Sequence, residues 1–470
     1  MADSRACFPP GPSCNTWPTK RGSDVAPGAH AASQVVLGLS PLAVSLGIFV
    51  LTYAVIVTER INRSVVALLG AGLMVLSGVL HQTEAFRGID LNTISLLTGM
   101  MVIVAVTQHS GVFQYVAIKA TKTVKADPWG LLVMLSLVTA LFSALLDNVT
   151  TVLLIAPVTL LITDALRISP YPYLFSVIFA SNIGGTATLI GDPPNIMIGS
   201  AAKLTFNDFL VNLAPVAVVI LLLTLIPIYL IWGRKLSATA ENRAMVMAFD
   251  EKESITDPRL LKQALFVIAL VILGFVMAHG IGQEPGTIAM FGAALLLLLR
   301  VYDKHAEEQS HAIHHTFGEV EWVTIFFFVG LFVVVAGIEK AGALEILAHE
   351  IVAWTGGDFG ITAYAILWVS AVLSAVVDNI PFVATMIPVI QSMGTVFTPE
   401  QINTLWWSLA LGACLGGNGS LVGASANLVV AGFAERAGQP IRFLPFMVMA
   451  FPLMLASIAV SHLYLWVRYL

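Results

Sequence analysis

The chain has 470 residues, is 57% hydrophobic and only 11% charged, and has a mean hydropathy of +0.88. A soluble domain carries about 25% charged residues, so this chain cannot cover itself with polar surface and its solvent is expected to be lipid. The net charge of −5 is too small to point to a nucleic-acid or acidic partner, and three cysteines (Cys7, Cys14, Cys414) build neither a disulfide framework nor a zinc site.

Residues 1–34 are rich in Pro, Gly and Ser and lack the apolar core of a signal peptide, so they read as a flexible tail. No cleavage site precedes Val35, and the first apolar run is expected to be retained. A membrane span needs about 20 apolar residues. Clear runs follow at 35–57, 64–80, 91–107, 213–232, 260–279, 286–301, 320–338 and 443–467. Between them lie apolar runs broken by Gly, Pro, Asn or Asp, at 129–166, 172–201, 360–393 and 404–433. Residues 112–125 read as an amphipathic helix along the interface. His109 and Lys340 are expected at the interface, and Trp406 and Trp407 as interface anchors. His305, His311, His314 and His315 read as a solvated loop, although His311 and His315 form an i,i+4 pair.

The polar segment 233–258 divides the chain into a first repeat, 35–232, and a second, 259–470. Ser143-Ala-Leu-Leu-Asp147-Asn148 recurs as Ser374-Ala-Val-Val-Asp378-Asn379, an offset of 378 − 147 = 231. Pro157 and Pro388, Gly99 and Gly330, and Gly111 and Gly342 share that offset. Near it, Gly184-Gly185-Thr186-Ala-Thr188 recurs as Gly416-Gly417-Asn418-Gly-Ser420, and Asn195 falls on Asn427. Internal repeats of this kind are a transporter signature. Basic residues after the first and third spans and in the linker place those loops in the cytoplasm. Threading the chain under that rule requires 129–166 and 360–393 each to enter and leave on one side. The expected fold is therefore an all-α polytopic membrane protein with inverted repeats. It has two re-entrant hairpins, two discontinuous helices and about ten full spans, with both termini outside.

Asp147 and Asp378 then sit at the hairpin tips near mid-membrane. A carboxylate there costs about 2.5–3.5 kcal/mol on insertion scales and is functional by default, although Asp and Asn are also good helix caps. The substrate or ion site is assigned to Asp147, Asn148, Thr150, Gly184, Gly185, Thr186, Thr188, Asp192 and Asn195 of the first repeat. The second contributes Asp378, Asn379, Gly416, Gly417, Asn418, Ser420 and Asn427. Irregular backbone at this depth lines a cavity or is buried in protein, and glycine lets backbone approach a ligand. Asp147 and Asp378 are the expected proton-coupling groups, since burial favours the protonated carboxyl.

The runs Asp147-Asn148-Val149-Thr150-Thr151 and Ser181-Asn182-Ile183-Gly184-Gly185-Thr186 through Asp192-Pro193-Pro194-Asn195 closely resemble the P-protein branch of the ArsB/NhaD transporters, within the ion transporter superfamily. The resemblance covers about residues 35–470. It implies a scaffold and a transport domain, often a homodimer, and a substrate site at the hairpin tips. The sodium-coupled dicarboxylate symporters of that superfamily carry Ser-Asn-Thr at the tips. Here an Asp stands first at each tip, which disfavours an anionic substrate, and Pro381 stands where the first tip has Thr150.

The function expected is a secondary active transporter of the cell membrane, not an enzyme, with no cofactor and no metal. Proton-coupled efflux of arsenite or antimonite leads; a sodium/proton antiporter and an anion carrier are the alternatives. An aspartyl dyad of Asp147 and Asp378 is the enzymatic rival, and the glycine breaks and inverted repeat favour a transporter. No P-loop is present in the sequence, so any ATP drive would need a partner ATPase. For the topology, a cysteine replacing Ala244 is expected to be labelled from the cytoplasm alone, and one replacing Gln283 from outside alone. Labelling of both from one face would refute the inverted arrangement.

Overall fold

The computed structural model describes residues 38–58 and 60–470; the expected N-terminal tail lies outside the described residues. The first set of helices is α1 (Pro41–Val57), α2 (Arg63–Leu76), α3 (Gln82–Arg87), α4 (Leu91–Gln108), α5 (Val112–Thr123), α6 (Pro128–Leu145), α7 (Asn148–Ala165), α8 (Tyr171–Thr186), α9 (Pro193–Ala202), α10 (Phe206–Asn212) and α11 (Ala214–Ile228). After α12 (Ala240–Met247) comes the second set: α13 (Pro258–Ile281), α14 (Pro285–Val301), α15 (Ala306–Gly318), α16 (Trp322–Lys340), α17 (Ala343–Trp354), α18 (Phe359–Val376), α19 (Asn379–Ser392), α20 (Pro399–Gly416), α21 (Ser425–Arg436) and α22 (Phe443–Arg468). Among the described residues there is no strand, and eight helices are long and apolar enough to cross a membrane. The chain is an all-helical, multi-pass membrane protein.

Matching starts expose the repeat directly. α16, α17, α18 and α19 begin 231 residues after α4, α5, α6 and α7, as in 379 − 148 = 231. Each hairpin opens with an acidic N-cap followed shortly by apolar helix: Asp127 accepts from Gly130 N at 2.9 Å, and Asp358 from Ile361 N at 2.8 Å. These caps satisfy amides that the first helical turn leaves free.

The two sets interlock rather than lie side by side. α4 packs on α14 and α16 on α2. The crossings are backbone to backbone: a Cβ on Gly99 would lie 2.6 Å from the Ala289 carbonyl carbon, and one on Gly330 would lie 2.5 Å from that of Ala67. Without a hydrophobic drive between helices in lipid, such small-residue contacts let helices approach closely. In the other layer α6 packs on α8 and α18 on α20, while α7 meets α21 and α19 meets α9 across the repeat. Every residue of 172–186 and of 404–416 is buried, so the broken helices form the centre.

Two local expectations are overturned. Trp406 and Trp407 are each 3% exposed, and Trp407 stands edge-on to Phe209 at 5.2 Å, because α20 is enclosed by protein from Thr404 onward. The histidine-rich segment is a helix, α15, docked beside α14 and the end of α4. Gly330→Leu is expected to destabilise the protein by about 1–3 kcal/mol, the usual cost of overpacking, read as a lower midpoint of thermal unfolding in detergent. An unchanged midpoint would mean that α2 and α16 are not in contact.

Candidate functional site

Each hairpin reverses at its Asp. Asp147 caps α7, accepting from Thr150 N at 2.8 Å and Thr150 Oγ1 at 2.5 Å; Asp378 caps α19, accepting from Ile380 N at 3.0 Å. Asp147 is buried, as are the following Asn148 and Asn379. Capping and site membership therefore coexist at these residues.

The breaks lie between α8 and α9 and between α20 and α21, where backbone groups lose their helical partners. Asn195 Nδ2 donates to the carbonyls of Gly185, Thr186 and Thr188 at 3.3, 3.1 and 2.9 Å, and Asn427 Nδ2 to those of Gly417 and Ser420, both at 2.8 Å. The hydroxyls of Thr188 and Ser420 donate to the last carbonyls of the hairpin arms, Ala144 and Ala375, each at 2.6 Å. Ser143 and Ser374 return the bond from hairpin to broken helix, donating to Ser181 O at 2.6 Å and Ala413 O at 2.7 Å. Thr186 Oγ1 donates to Asn182 O at 2.7 Å. Gly184 abuts the Ala140 backbone, and a Cβ on Gly416 would lie 2.6 Å from Ala371 O. Gly185 and Gly417 face the returning carbonyls of Gly191 and Gly423. The paired glycines thus serve close packing of hairpin on broken helix, and the hydroxyl protons of these residues are already spent on backbone.

The polar centre lies where the two breaks meet the first tip. Asn182 Nδ2 donates to Asn418 Oδ1 and Asn427 Oδ1, each at 3.0 Å, and its Oδ1 accepts from Asn148 Nδ2 at 3.3 Å. Cys414, the counterpart of Asn182 (414 − 182 = 232), donates from Sγ to Asn195 Oδ1 at 3.4 Å. Asp192 is fully buried, with Asn379 Nδ2 3.4 Å from each carboxylate oxygen. Two buried polar atoms of this network, Asn148 Oδ1 and Asn418 Nδ2, have no partner, nor has Thr151 Oγ1, three positions on along α7. An orphaned buried polar atom costs about 1–3 kcal/mol, which makes these three atoms candidates for hydrogen bonds to a polar ligand.

The second tip differs. Arg63, the first residue of α2, reaches Asp378 Oδ2 at 3.0 Å and Ser425 Oγ at 2.5 Å, and Ser425 itself donates to Asp378 at 3.0 Å. Its second nitrogen donates to Thr324 at 3.2 Å, and its guanidinium stacks 5.1 Å over Phe327. A cavity of about 260 Å³, lined by Asn62, Arg63, Glu321, Asp378 and Ser425, leads to this tip. The basic residues after the first span read as loop charges, yet Arg63, one of them, has its partner 315 residues away, where no local signal marks it. Asn182 could have been noticed as an Asn one turn before a glycine break. Thr151 could have been noticed as the residue on the same α7 face as Asn148, three positions on.

Comparison with known proteins places the chain. A family model described as "Citrate transporter" (CitMHS) matches residues 53–412. An uncharacterized transporter of Mycobacterium tuberculosis is 43% identical over 91% of this chain and 98% of its own length. The human P protein is 33% identical over 89% of this chain, which spans 59% of that protein. The P-protein likeness seen in the motifs thus stands within a family described by citrate transport. Among solved structures, the YdaH transporter of Alcanivorax borkumensis matches with a TM-score of 0.55 and 15% identity, covering 91% of this chain and 99% of that one, a likeness of fold.

Removing Arg63 would leave the part-buried Asp378 without its cation, a loss below the about 3–5 kcal/mol of a fully buried pair. Arg63→Met is expected to unfold well below the parent on heating in detergent, and Asp378→Asn in the same chain to restore most of the difference. A double mutant as unstable as Arg63→Met would refute the pairing.

Proposed function

This chain belongs to the CitMHS citrate transporter family, and within it we propose a proton-coupled secondary transporter whose substrate is a small uncharged oxyacid of the arsenous acid type. The observation that carries the reading is the charge balance of the buried centre. Asp147 and Asp192 are buried there, Asp378 is part-buried at the second tip, and of these three Arg63 is bonded to Asp378 alone. A multiply charged anion entering this centre would face two carboxylates without a cation. A neutral trihydroxy acid needs only hydrogen bonds, which Asn148 Oδ1, Thr151 Oγ1 and Asn418 Nδ2 have free. Thiols would trap arsenite, and the centre offers one, Cys414, already bonded to Asn195.

In the proposed cycle Asp147 and Asp192 exchange protons as substrate binds and leaves. Asp378 keeps its Arg63 partner and holds the second tip. This shifts the coupling role from the symmetric pair expected from the repeat to two residues of the first half. An Asp-to-Asn change keeps the size and hydrogen bonding of the side chain and removes its titration. A second reading, an organic anion carrier, is favoured by the family description and by Arg63; the anion would then enter with neutralising cations.

The test is transport into proteoliposomes under an imposed pH gradient, comparing arsenite, citrate and sodium. Arsenite accumulation driven by the gradient is expected for the parent chain. Asp147→Asn and Asp192→Asn are each expected to fall to about the equilibrium level while keeping downhill flux. Citrate accumulation without arsenite uptake would establish the second reading. Sodium extrusion alone would make the chain an antiporter, and full accumulation in both mutants would overturn the coupling assignment.

A further inference from the structure

α4 ends at Gln108 with His109 as its C-cap, and α15 ends with Glu319 as its C-cap. His109 Nε2 lies 2.9 Å from Glu319 Oε2, and His315 Nδ1, on the last turn of α15, lies 3.3 Å from Glu319 Oε1. The two imidazoles are 5.3 Å apart, and one ligand atom from each of the three residues lies within 4.8 Å of the others. His311 and Glu308 line the same open depression.

The repeat supplies a control for this arrangement. Lys340 is the counterpart of His109 (340 − 109 = 231), and it ends α16 in a plain ion pair with Glu84 of α3 at 2.5 Å. The Lys340 ammonium holds the Glu84 carboxyl below its usual range. A lysine is enough to clasp a carboxylate. Where the first half meets α15, the lysine is replaced by an imidazole and a second imidazole stands beside it.

Two imidazoles and a carboxylate are a donor set for borderline first-row dications, whereas magnesium and calcium take oxygen. Zinc binds His nitrogen and carboxylate oxygen at about 2.0–2.2 Å in tetrahedral sites, which sets neighbouring ligand atoms about 3.3–3.5 Å apart. The separations of 2.9 and 3.3 Å run to the two oxygens of Glu319, so reaching that spacing around one ion requires the three donors, now within 4.8 Å of one another, to draw together by side-chain rotation. Arg300 and Lys304 also border the depression, and the carboxylates of Glu308 and Glu319 offset their charge. All three side chains are partly exposed and reachable from water.

We propose that His109, His315 and Glu319 bind one zinc-class divalent cation that fastens α15 of the second half to the end of α4. The position gives the ion leverage. Ser110 and Gly111 lead from His109 into α5, which precedes the first hairpin, and the linker is bonded there through Thr256 N to Ser110 O at 3.2 Å. A bound ion would tie the second half to the elbow that carries the Asp147 hairpin.

Tag-free, full-length protein in detergent, stripped with a chelator, is titrated with zinc chloride by calorimetry. One zinc per chain is expected, and no binding of magnesium chloride. Loss of a ligand should weaken binding by at least the about 10–100-fold that loss of an outer-shell partner costs. His109→Gln and His315→Gln are therefore expected to lose that much, while His314→Gln, which alters a residue outside the cluster, binds as the parent does. His315 has the most exposed side chain of the three, so His315→Gln keeps the test sound should His109→Gln fail to fold. Absence of stoichiometric zinc binding in the parent chain would overturn the site. So would parent-like affinity in His315→Gln, or an equal loss in His314→Gln.

Discussion

Within a bilayer a backbone group that leaves its helix must find a partner inside the protein, and the whole central architecture answers that constraint. Two helices are broken where the chain is most buried. Asn195 and Asn427 turn back to hold the freed carbonyls of their own breaks. Thr188 and Ser420 tie each break to the last turn of its hairpin. Glycines at 184 and 416 are required because the hairpin backbone passes too near for a side chain. The backbone freed at the breaks is thus satisfied inside the protein, while Asn148 Oδ1 and Asn418 Nδ2 are left without a partner.

Duplication explains why these bonds come in matched pairs, and the departures from matching give the site its character. Asn182 joins three asparagines across the two repeats, while Cys414 at the equivalent place makes one weaker bond. Asp192 has Ala424 as its counterpart, and Asp378 has Arg63 while Asp147 has the hydroxyl and amide of Thr150. The first half therefore holds the carboxyl groups without a cationic partner and the second half the ion pair.

The same division appears at the ends of the third span of each half. Lys340 and Glu84 form a simple ion pair, whereas His109, His315 and Glu319 gather donors of a different chemistry. Interlocked packing of α4 on α14 and α16 on α2 means that both clasps cross from one repeat to the other. Each therefore constrains how the two halves can shift.

Composition, hydropathy runs and the 231-residue offset were enough to read a helical membrane transporter with two hairpins and two broken helices. Those features repeat along the chain and depend on local order: apolar length, acidic caps, paired glycines. The tip residues Asp147, Asn148, Asp378 and Asn379 were legible for the same reason, since a polar pair inside an apolar run is conspicuous by itself. Tertiary structure alone decided which of them have partners. Arg63 meets Asp378 across 315 positions, Asn182 meets Asn427 across 245, and Trp406 and Trp407 are enclosed because α20 is buried from Thr404 onward. No periodicity encodes such meetings: they follow from how two interleaved repeats pack, and packing fixes which charge is neutralised and which polar atom is left free.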